Sequence, residues 1–459
     1  MAVDRSALPA VGPDPAFAFP RIARHQLANG ARVCTVEHHG VPVVTFIVQI
    51  DGGYGADPSG REGLAAITAD MADEGTGDLS AIDVSDALER IGAEYEVEVG
   101  ADATSFSLTT LTRFAARGAD LAARMISRPS LRQADFDRVR QLRIDRLTQL
   151  KDMPGPTADR AFLRRLYGLH PYGHLSIGTE AALSSLALTD VEAFQTWRCR
   201  PSAATVVAVG RLSHEALLQA VAEAFGGWED PAGCVAQEPA AADIEPPATR
   251  GGLAIVPREG AAQSELRIGH LSARRGTPDY SALTVMNAVL GGQFVSRLNL
   301  KLREEKAFTY GARSGFDWRR GLAPFALQTS VHTGSTAEAV EEALAELAGI
   351  RGPKPVTDAE LALAKASLTR GYPRGFETTQ QVARAVSQLV LYDLPDAYFA
   401  EFVPKINAVT ASDVTRAAER YLDPAKMHTV IVGDPAQIEG PLRTLDIGEP
   451  ELLPVEPRR

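Results

Sequence analysis

The stretch from Gly291 to Phe316 reads GGQFVSRLNLKLREEKAFTYGARSGF. After the Gly-Gly turn, apolar residues recur at helical spacing, at Val295, Leu298 and Leu302. A more extended pattern resumes from Tyr310. The stretch therefore predicts a helix, a loop and a strand, with Arg303 near the end of the helix and Tyr310 at the start of the strand.

Arg303 and Tyr310 are the residues of this stretch that could carry chemistry. A planar guanidinium with several N–H donors and a phenolic hydroxyl, brought to one cleft, can hold a carbonyl oxygen that is acquiring negative charge. These two residues would supply hydrogen-bond donors to the substrate but no nucleophile to attack it. The alternative is that Arg303 pairs with Glu304, Glu305 or solvent and that Tyr310 packs at a strand edge. The residues alone leave both interpretations open.

The pattern GG...SRL...LRE...Y resembles the signature of the C-terminal half of M16-type metallopeptidases, the inverzincin group that includes mitochondrial processing peptidase and pitrilysin. In that family an Arg and a Tyr seven residues later touch the substrate at the scissile bond. Arg303 and Tyr310 have the same spacing. The resemblance extends from about Gln26 to Gly433 and implies that these two residues are catalytic and bind substrate.

The segment GLAAITADMADEGT, residues 63–76, predicts a helix whose apolar face carries Leu64, Ile67 and Met71. In the family this helix carries His-x-x-Glu-His, where the two His ligate zinc and the Glu activates water. On the family frame, Ala66 and Asp70 stand at the two His positions and Ala69 at the Glu. These positions are therefore degenerate.

The family's third zinc ligand, a Glu on a later helix, falls in LRIDRL, roughly at Asp145. Catalytic zinc is held by three protein ligands and a water, and two aspartates without a His or a general base do not meet that need. We therefore expect no metal and no cofactor in this chain. The resemblance places zinc in a partner subunit.

One other His pair is close in sequence, His170 and His174 in HPYGH. Pro171 and Gly173 argue against the helical geometry in which two His four residues apart ligate zinc. HPYG followed by IGT is itself similar to the family. We interpret it as a packed turn between helices.

Length, charge and cysteine content limit which classes of protein and partner are expected. A chain of 459 residues is longer than a single hydrophobic core usually supports, so two or more domains are expected. The net charge of −11 disfavours nucleic acid and anionic membranes as partners and is compatible with cationic peptides. The scattered residues Cys34, Cys199 and Cys234 indicate neither a disulfide framework nor a Cys-ligated zinc site.

Residues 1–20 lack a basic start followed by an apolar run, and no apolar run reaches about 18 residues. We expect no membrane span and a cytoplasmic location, or a periplasmic one if a leader has been removed.

Residues 229–251 are rich in Ala, Pro and acidic residues, which is typical of a linker. The second half repeats the pattern of the first at an offset of about 220 residues, which indicates a duplicated domain. We predict an α+β fold with two M16-like domains, 1–228 with the degenerate zinc motif and 252–459 with the Arg/Tyr pair. Each has an antiparallel-rich sheet with helices on one face, and together they form a clamshell.

Within the second half, GYPRGF at residues 371–376 interrupts a helical pattern, and we expect a kink or loop there.

Three functional hypotheses follow from the resemblance. The first is the non-catalytic subunit of a heterodimeric M16B zinc peptidase, which offers Arg303 and Tyr310 to a homologous zinc-bearing subunit and binds a peptide or an unfolded protein. The second is a peptide-binding or scaffold subunit with no part in catalysis. The third, a stand-alone hydrolase, lacks a GxSxG or other triad signature.

Overall fold

The computed structural model describes residues 17–231 and 240–454. Cys234, the middle of the predicted linker and most of the segment used for the leader prediction lie outside the described residues.

The strands of the first domain form one large sheet and one small hairpin. They are β1 (Ile22–Gln26), β2 (Arg32–Glu37), β3 (Val43–Asp51), β4 (Gly75–Thr76), β5 (Leu79–Ser80), β6 (Glu94–Val99), β7 (Ala103–Leu111) and β8 (Ala204–Gly210). The large sheet has the order β1-β2-β8-β3-β7-β6, in which β2 and β8 pair in parallel and the other neighbours pair antiparallel. Strands β4 and β5 form the hairpin.

The helices of the first domain connect these strands. They are α1 (Leu64–Asp70), α2 (Ala81–Arg90), α3 (Ala115–Ser127), α4 (Gln133–Lys151), α5 (Pro154–Tyr167), α6 (Glu180–Ser185), α7 (Leu188–Arg198) and α8 (His214–Phe225). Pro154 stands at the first position of α5, where a missing N–H costs no hydrogen bond.

The second domain repeats this arrangement. Its strands are β9 (Gly252–Pro257), β10 (Gln263–Leu271), β11 (Ala312–Phe316), β12 (Pro324–His332), β13 (His428–Gly433) and β14 (Glu451–Leu452). Its sheet has the order β11-β12-β10-β13-β9-β14. Strands β2, β8, β3, β7 and β6 of the first sheet correspond to β9, β13, β10, β12 and β11 of the second, and β2 and β9 begin 220 residues apart. The predicted α+β duplication is confirmed.

The helices of the second domain follow the same plan. They are α9 (Tyr280–Leu290), α10 (Arg297–Asn299), α11 (Thr336–Gly349), α12 (Asp358–Arg370), α13 (Thr379–Leu391), α14 (Tyr398–Ala408), α15 (Ala411–Tyr421) and α16 (Pro435–Leu442). Helix α10 continues directly into a π-helical segment, Leu300–Glu305.

Each sheet is covered on one face by helices of its own domain, as predicted, and on the other face by one helix from the opposite domain. Helix α13 packs on β3 and β8 of the first sheet, and α5 packs on β10 and β13 of the second. The apolar residues joined under α13 are Ile47, Val207, Val209, Val382, Ala383 and Val386. Under α5 they are Ala158, Phe162, Val430 and Val432. Strand β8, ATVVAVG, is buried along its whole length because both of its faces are covered.

A buried cation lies where the two domains meet. The side chain of Arg319 is 0% exposed and is surrounded by the rings of Tyr54, Tyr167 and Tyr172, with its guanidinium carbon 4.9–5.8 Å from their centroids. Its guanidinium donates to the carbonyl of Tyr172 at 3.2 Å and to the carboxylate of Asp317 at 2.8 Å. Three tyrosines of the first domain thus enclose an arginine of the second.

The GYPRGF interruption forms a turn of 3-10 helix, Tyr372–Phe376, between α12 and α13. Its aromatic rings pack against Phe17, Phe19 and Phe399. The turn anchors the start of the described chain to the second domain.

Within residues 17–231 and 240–454, no helix combines the length and apolar character that crossing a bilayer requires.

Candidate functional site

The helix that carries Arg303 starts later than its apolar spacing predicts. The chain is extended at Ser296, and helical geometry begins at Arg297. Leu298 and Leu302 are fully buried in the second core, which orients the helix. Val295 precedes the helix and is half exposed, so its predicted place in the helical pattern is wrong.

A tight reversal follows the helix and brings the chain from Arg303 to Tyr310. Ala307 adopts a left-handed conformation with φ 54°, and its N–H donates to the carbonyl of Arg303 at 3.2 Å. The N–H of Phe308 reaches back to the carbonyl of Leu302 at 2.9 Å. These bonds satisfy the last carbonyls of the helix. Tyr310 then lies in a loop two residues before β11 starts at Ala312, not at the strand's first residue as predicted.

The backbone of the Tyr310 loop is fixed, although the Tyr310 side chain is 93% exposed. The N–H of Gly311 donates to the hydroxyl of Thr309 at 3.1 Å, and the hydroxyl of Thr329 on β12 donates to the carbonyl of Gly311 at 3.0 Å. A side chain at the tip of an anchored loop is ready to meet a ligand without reordering the backbone.

Arg303 is held only by weak interactions. Its guanidinium carbon lies 4.4 Å from the centroid of the Phe294 ring, and its Nη1 is 3.5 Å from a carboxylate oxygen of Glu304. Glu305 pairs instead with Lys301 at 2.7 Å. A cation–π contact and a surface ion pair of this kind are each worth up to about 1 kcal/mol. Arg303 therefore does pair with Glu304, as the alternative interpretation held, but a stronger acceptor could displace that carboxylate.

Several large apolar side chains in the stretch that carries Arg303 are exposed. Phe294, which contacts the Arg303 guanidinium, is 66% exposed, and Val295 and Leu300 are each about half exposed. We call Phe294, Val295, Leu300, Arg303 and Tyr310 the 294–310 surface. Exposed large apolar side chains with polar groups among them are typical of surfaces that contact another molecule.

The degenerate metal positions lie on α1. Ala66 and Ala69 are buried in packed surroundings and offer no lone pair. Asp70 forms an ion pair with Arg143 of α4, which also donates to the carbonyl of Ser176 at 2.9 Å. A guanidinium thus contacts the one potential ligand of this helix. Zinc would require three donors and would be repelled by this cation, so the residues present do not fit the metal.

Asp145 does not take part in this arrangement. Its side chain is exposed and accepts a hydrogen bond from Gln141 on the same helix at 2.9 Å. The residue of α4 that reaches Asp70 is Arg143. Residues two positions apart on a helix lie on roughly opposite faces. A count along the sequence, accurate only to a few residues, could therefore not tell whether Arg143 or Asp145 faces Asp70. In the part of the chain that the structure describes, no three His, Cys, Asp or Glu side chains are grouped as a metal ion would need.

HPYGH is the turn between α5 and α6, as predicted, and its two histidines have separate structural contacts. His174 Nε2 lies 3.0 Å from the buried carboxylate of Asp57. That carboxylate also accepts the N–H groups of Gly63 at 2.7 Å and Ala65 at 2.6 Å, at the start of α1. Asp57 therefore caps the helix that carries the degenerate motif.

His170 fastens the segment that connects the two domains. Its Nδ1 accepts the N–H of Tyr172 at 3.0 Å, so its Nε2 carries the proton and donates to the carbonyl of Ile244 at 3.0 Å. Burial lowers the pKa of His170, which favours this neutral form.

Sequence reasoning singled out Arg303 and Tyr310 but not Phe294 or Arg143. An aromatic residue two positions after a Gly-Gly turn carries no signal by itself. Arg143 lies in the LRIDRL segment that the sequence singled out. Its charge indicates a partner for Asp70, but Arg146 of the same segment carries the same charge, so the sequence does not choose between the two arginines.

Two family models match the chain. Residues 32–179 match "Insulinase (Peptidase family M16)", and residues 185–368 match "Peptidase M16 inactive domain".

Relatives and solved structures agree with these matches. An uncharacterised zinc protease of Mycobacterium leprae is 23% identical over 88% of this chain and 89% of its own length. A probable mitochondrial-processing peptidase subunit beta of Schizosaccharomyces pombe is 22% identical over 88% of this chain and 90% of its own length. The crystal structure of a peptidase M16 inactive domain from Pseudomonas fluorescens superposes with a TM-score of 0.82 and 24% identity, covering 90% of this chain and 98% of that one. This last likeness shows the fold.

Proposed function

The chain belongs to the M16 peptidase family. We propose that it is a non-catalytic member and works as one subunit of a two-chain zinc peptidase. In this proposal a homologous zinc-bearing subunit performs the cleavage. This chain contributes substrate binding and stabilisation of the oxyanion through Arg303 and Tyr310. The substrate is a peptide or an unfolded protein segment.

The observation that carries the proposal is the contrast between two surfaces of the same chain. At the metal positions, Ala66 and Ala69 are buried and Asp70 is paired with Arg143. On the 294–310 surface, Arg303 and Tyr310 lie at the two ends of one reversal, outside the core. A chain that served only as a scaffold would have no need of an exposed phenol and a partly exposed guanidinium among exposed apolar side chains.

The chemistry assigned to this chain is limited to what its own side chains can do. The guanidinium of Arg303 and the phenol of Tyr310 would donate to the substrate carbonyl oxygen as negative charge develops on it. Phe294 would keep the guanidinium plane in position by stacking. The partner would supply the metal and the attacking water.

The partnership is supported by one relative whose printed name describes a subunit, the probable mitochondrial-processing peptidase subunit beta. The exposed apolar members of the 294–310 surface give this chain a place at which a partner or an extended substrate could bind. A free strand edge at β11 adjoins this surface, because β11 pairs with β12 on one side only among the described strands.

The test is a reconstituted pair of this chain and a homologous zinc-bearing subunit. We expect Arg303→Ala or Tyr310→Phe to lower kcat by about 10²–10³, because each removes one donor to the oxyanion, while the two chains still co-elute. The matched control is Arg113→Ala, which removes an exposed arginine whose guanidinium carbon lies 4.8 Å from the centroid of the Phe114 ring in the first domain, and it should leave kcat unchanged. Unchanged kcat in both test variants would favour a scaffold role without catalysis.

A second measurement separates this chain from its partner. We expect metal analysis of this chain alone to find no stoichiometric zinc, because the metal positions offer a single carboxylate already paired with Arg143. One tightly held zinc per isolated chain would contradict the proposal.

A further inference from the structure

A large cavity lies away from the 294–310 surface and from the degenerate metal positions. Its volume is about 680 Å³, and it is bounded by one face of α5, by β9 and β13, by the end of the linker and by the residues after β14. Small-molecule sites in proteins fall in the range of about 300–1,000 Å³. The cavity is therefore of the size of a ligand site, and neither the family matches nor the proposed function assigns it a role.

Positive charge dominates the lining of this cavity. The cationic side chains are Lys151, Arg160, Arg164, Arg165 and Arg250. Among the described residues that line it, none carries a carboxylate. Carboxylates outside the lining engage part of this charge, since Lys151 pairs with Glu180 at 2.7 Å and Arg165 pairs with Glu451. An anion would still enter a region of positive potential.

His428 gives an independent reason to expect a ligand. It is the first residue of β13, is 2% exposed and lines the cavity. Neither of its ring nitrogens has a hydrogen-bond partner in the part of the chain that the structure describes. Buried polar groups are nearly always hydrogen-bonded, and leaving one unpaired costs about 1–3 kcal/mol. A ligand oxygen in the cavity would accept the N–H of the ring and remove this cost.

The remaining walls are apolar. Ala161 of α5, Val256 of β9, and Leu453 and Pro454 after β14 face the same space. The stems of the arginines add further apolar surface. A bare inorganic anion would leave these walls in contact with water, whereas a ligand with an aliphatic body would cover them.

We propose that this cavity binds a small organic anion with an apolar body, either an aliphatic carboxylate or an aliphatic phosphate monoester. The anionic head group contacts the arginines and the N–H of His428, and the aliphatic body lies against Ala161, Val256 and Leu453. The site joins α5 of the first domain to the sheet of the second, so the ligand contacts both domains.

Titration calorimetry on the full chain tests the proposal with decanoate and nonyl phosphate as probes, which carry the same aliphatic chain, and with acetate as the probe that lacks an apolar body. We expect saturable binding of one decanoate or one nonyl phosphate per chain, and the probe that binds more tightly identifies the head group. Acetate should bind at least about tenfold more weakly than decanoate.

Two variants locate the binding. Arg250→Gln changes an exposed residue, and His428→Phe changes a buried one. Each variant should weaken binding of the aliphatic probes about tenfold, because each removes one hydrogen-bond donor to the anionic head group. The matched control Arg117→Gln, at an exposed position on α3 outside the cavity, should bind as the wild type does. The proposal would be overturned if neither aliphatic probe showed saturable binding, if acetate bound as tightly as the aliphatic probes, or if Arg250→Gln bound with wild-type affinity. These outcomes remain decisive even if His428→Phe fails to fold.

Discussion

Asp57 illustrates how much of the first domain depends on single polar side chains. Its buried carboxylate accepts two backbone N–H groups at the start of α1 and contacts His174 in the HPYGH turn. One residue therefore contacts both α1, which holds the degenerate metal positions, and the HPYGH turn.

We predict that Asp57→Ala lowers the free energy of unfolding by about 2–4 kcal/mol, because it leaves two buried amides and an imidazole without an acceptor. The control is Asp145→Ala, at an exposed position, which should change it by less than about 0.5 kcal/mol. Urea denaturation of both variants measures the difference. Equal effects would show that the Asp57 contacts contribute nothing to stability.

His428 predicts a dependence of stability on pH. Burial lowers its pKa from 6.5 to about 4, with further contributions from the nearby Arg165 and His270. The folded protein therefore prefers the neutral ring, while the unfolded chain takes up a proton near pH 6.5. The stability linked to His428 is complete above that pH and is lost as the pH falls toward 4.

We expect the wild type to lose about 2 kcal/mol more than His428→Phe does between about pH 7.5 and about pH 5, since Phe has no proton to gain. Urea denaturation of both proteins at the two pH values gives this difference directly, and effects of titrating groups that do not interact with His428 cancel in it. Parallel losses in the two proteins would mean that His428 is protonated equally easily in both states.

At the scale of elements, the alternation of side chains along a strand can be read from the sequence, because successive side chains point to opposite faces of a sheet. The alternating segments EYEVEV and ATSFSLTTL form strands β6 and β7. The patterns of α5 and α13 could show which face of each helix is apolar, but they carry no information on which sheet that face would cover. The exchange of these two helices was therefore not predicted.

The same limit applied to the candidate site. The residue types at Ala66, Ala69 and Asp70 could be judged from the sequence because they lie on one short helix. Arg143 lies on α4, and its contact with Asp70 depends on how two helices pack, which spacing does not give. The residue types at the metal positions could thus be read from the sequence, and the contact of Asp70 with Arg143 could not.

The α1–α4 pairing predicts what restoring the motif would require. The triple variant Ala66→His/Ala69→Glu/Asp70→His should hold no zinc, because Arg143 would still place a cation among the ligands. Adding Arg143→Glu removes that charge and supplies a third ligand, and we expect this quadruple variant to hold one zinc per chain. Metal analysis after dialysis, with circular dichroism to verify folding, compares them. Zinc held by the triple variant would show that Arg143 does not exclude the metal.

At the scale of the whole molecule, the two domains are joined by more than a linker. Helices α5 and α13 each lie on the sheet of the other domain, and Arg319 is enclosed by tyrosines across the boundary. Arg320 adds a hydrogen bond from its backbone N–H to Asp102 at 2.9 Å and an ion pair with Asp51 at 3.0 Å. The apolar area under the exchanged helices makes separation of the domains costly.

We predict that cutting the chain within residues 232–239, at an inserted protease site, leaves the two fragments associated. Size-exclusion chromatography should show both fragments in one peak at the position of the intact protein. The control is the same cleavage in a Val382→Asp/Val386→Asp variant, where charges under α13 should weaken the association. Separation of the wild-type fragments would show that the linker, and not the exchanged helices, unites the domains.

The ion pair between Asp70 and Arg143 also bears on the history of such a protein. A lineage that has merely lost its ligands can regain activity by restoring them one at a time, each step leaving the others unharmed. Here replacing Asp70 by His would leave the Arg143 guanidinium without its carboxylate, and removing the arginine first would leave Asp70 unpaired in a half-covered position. A metal site on α1 would therefore have to be regained through several changes made together, and not through one residue at a time.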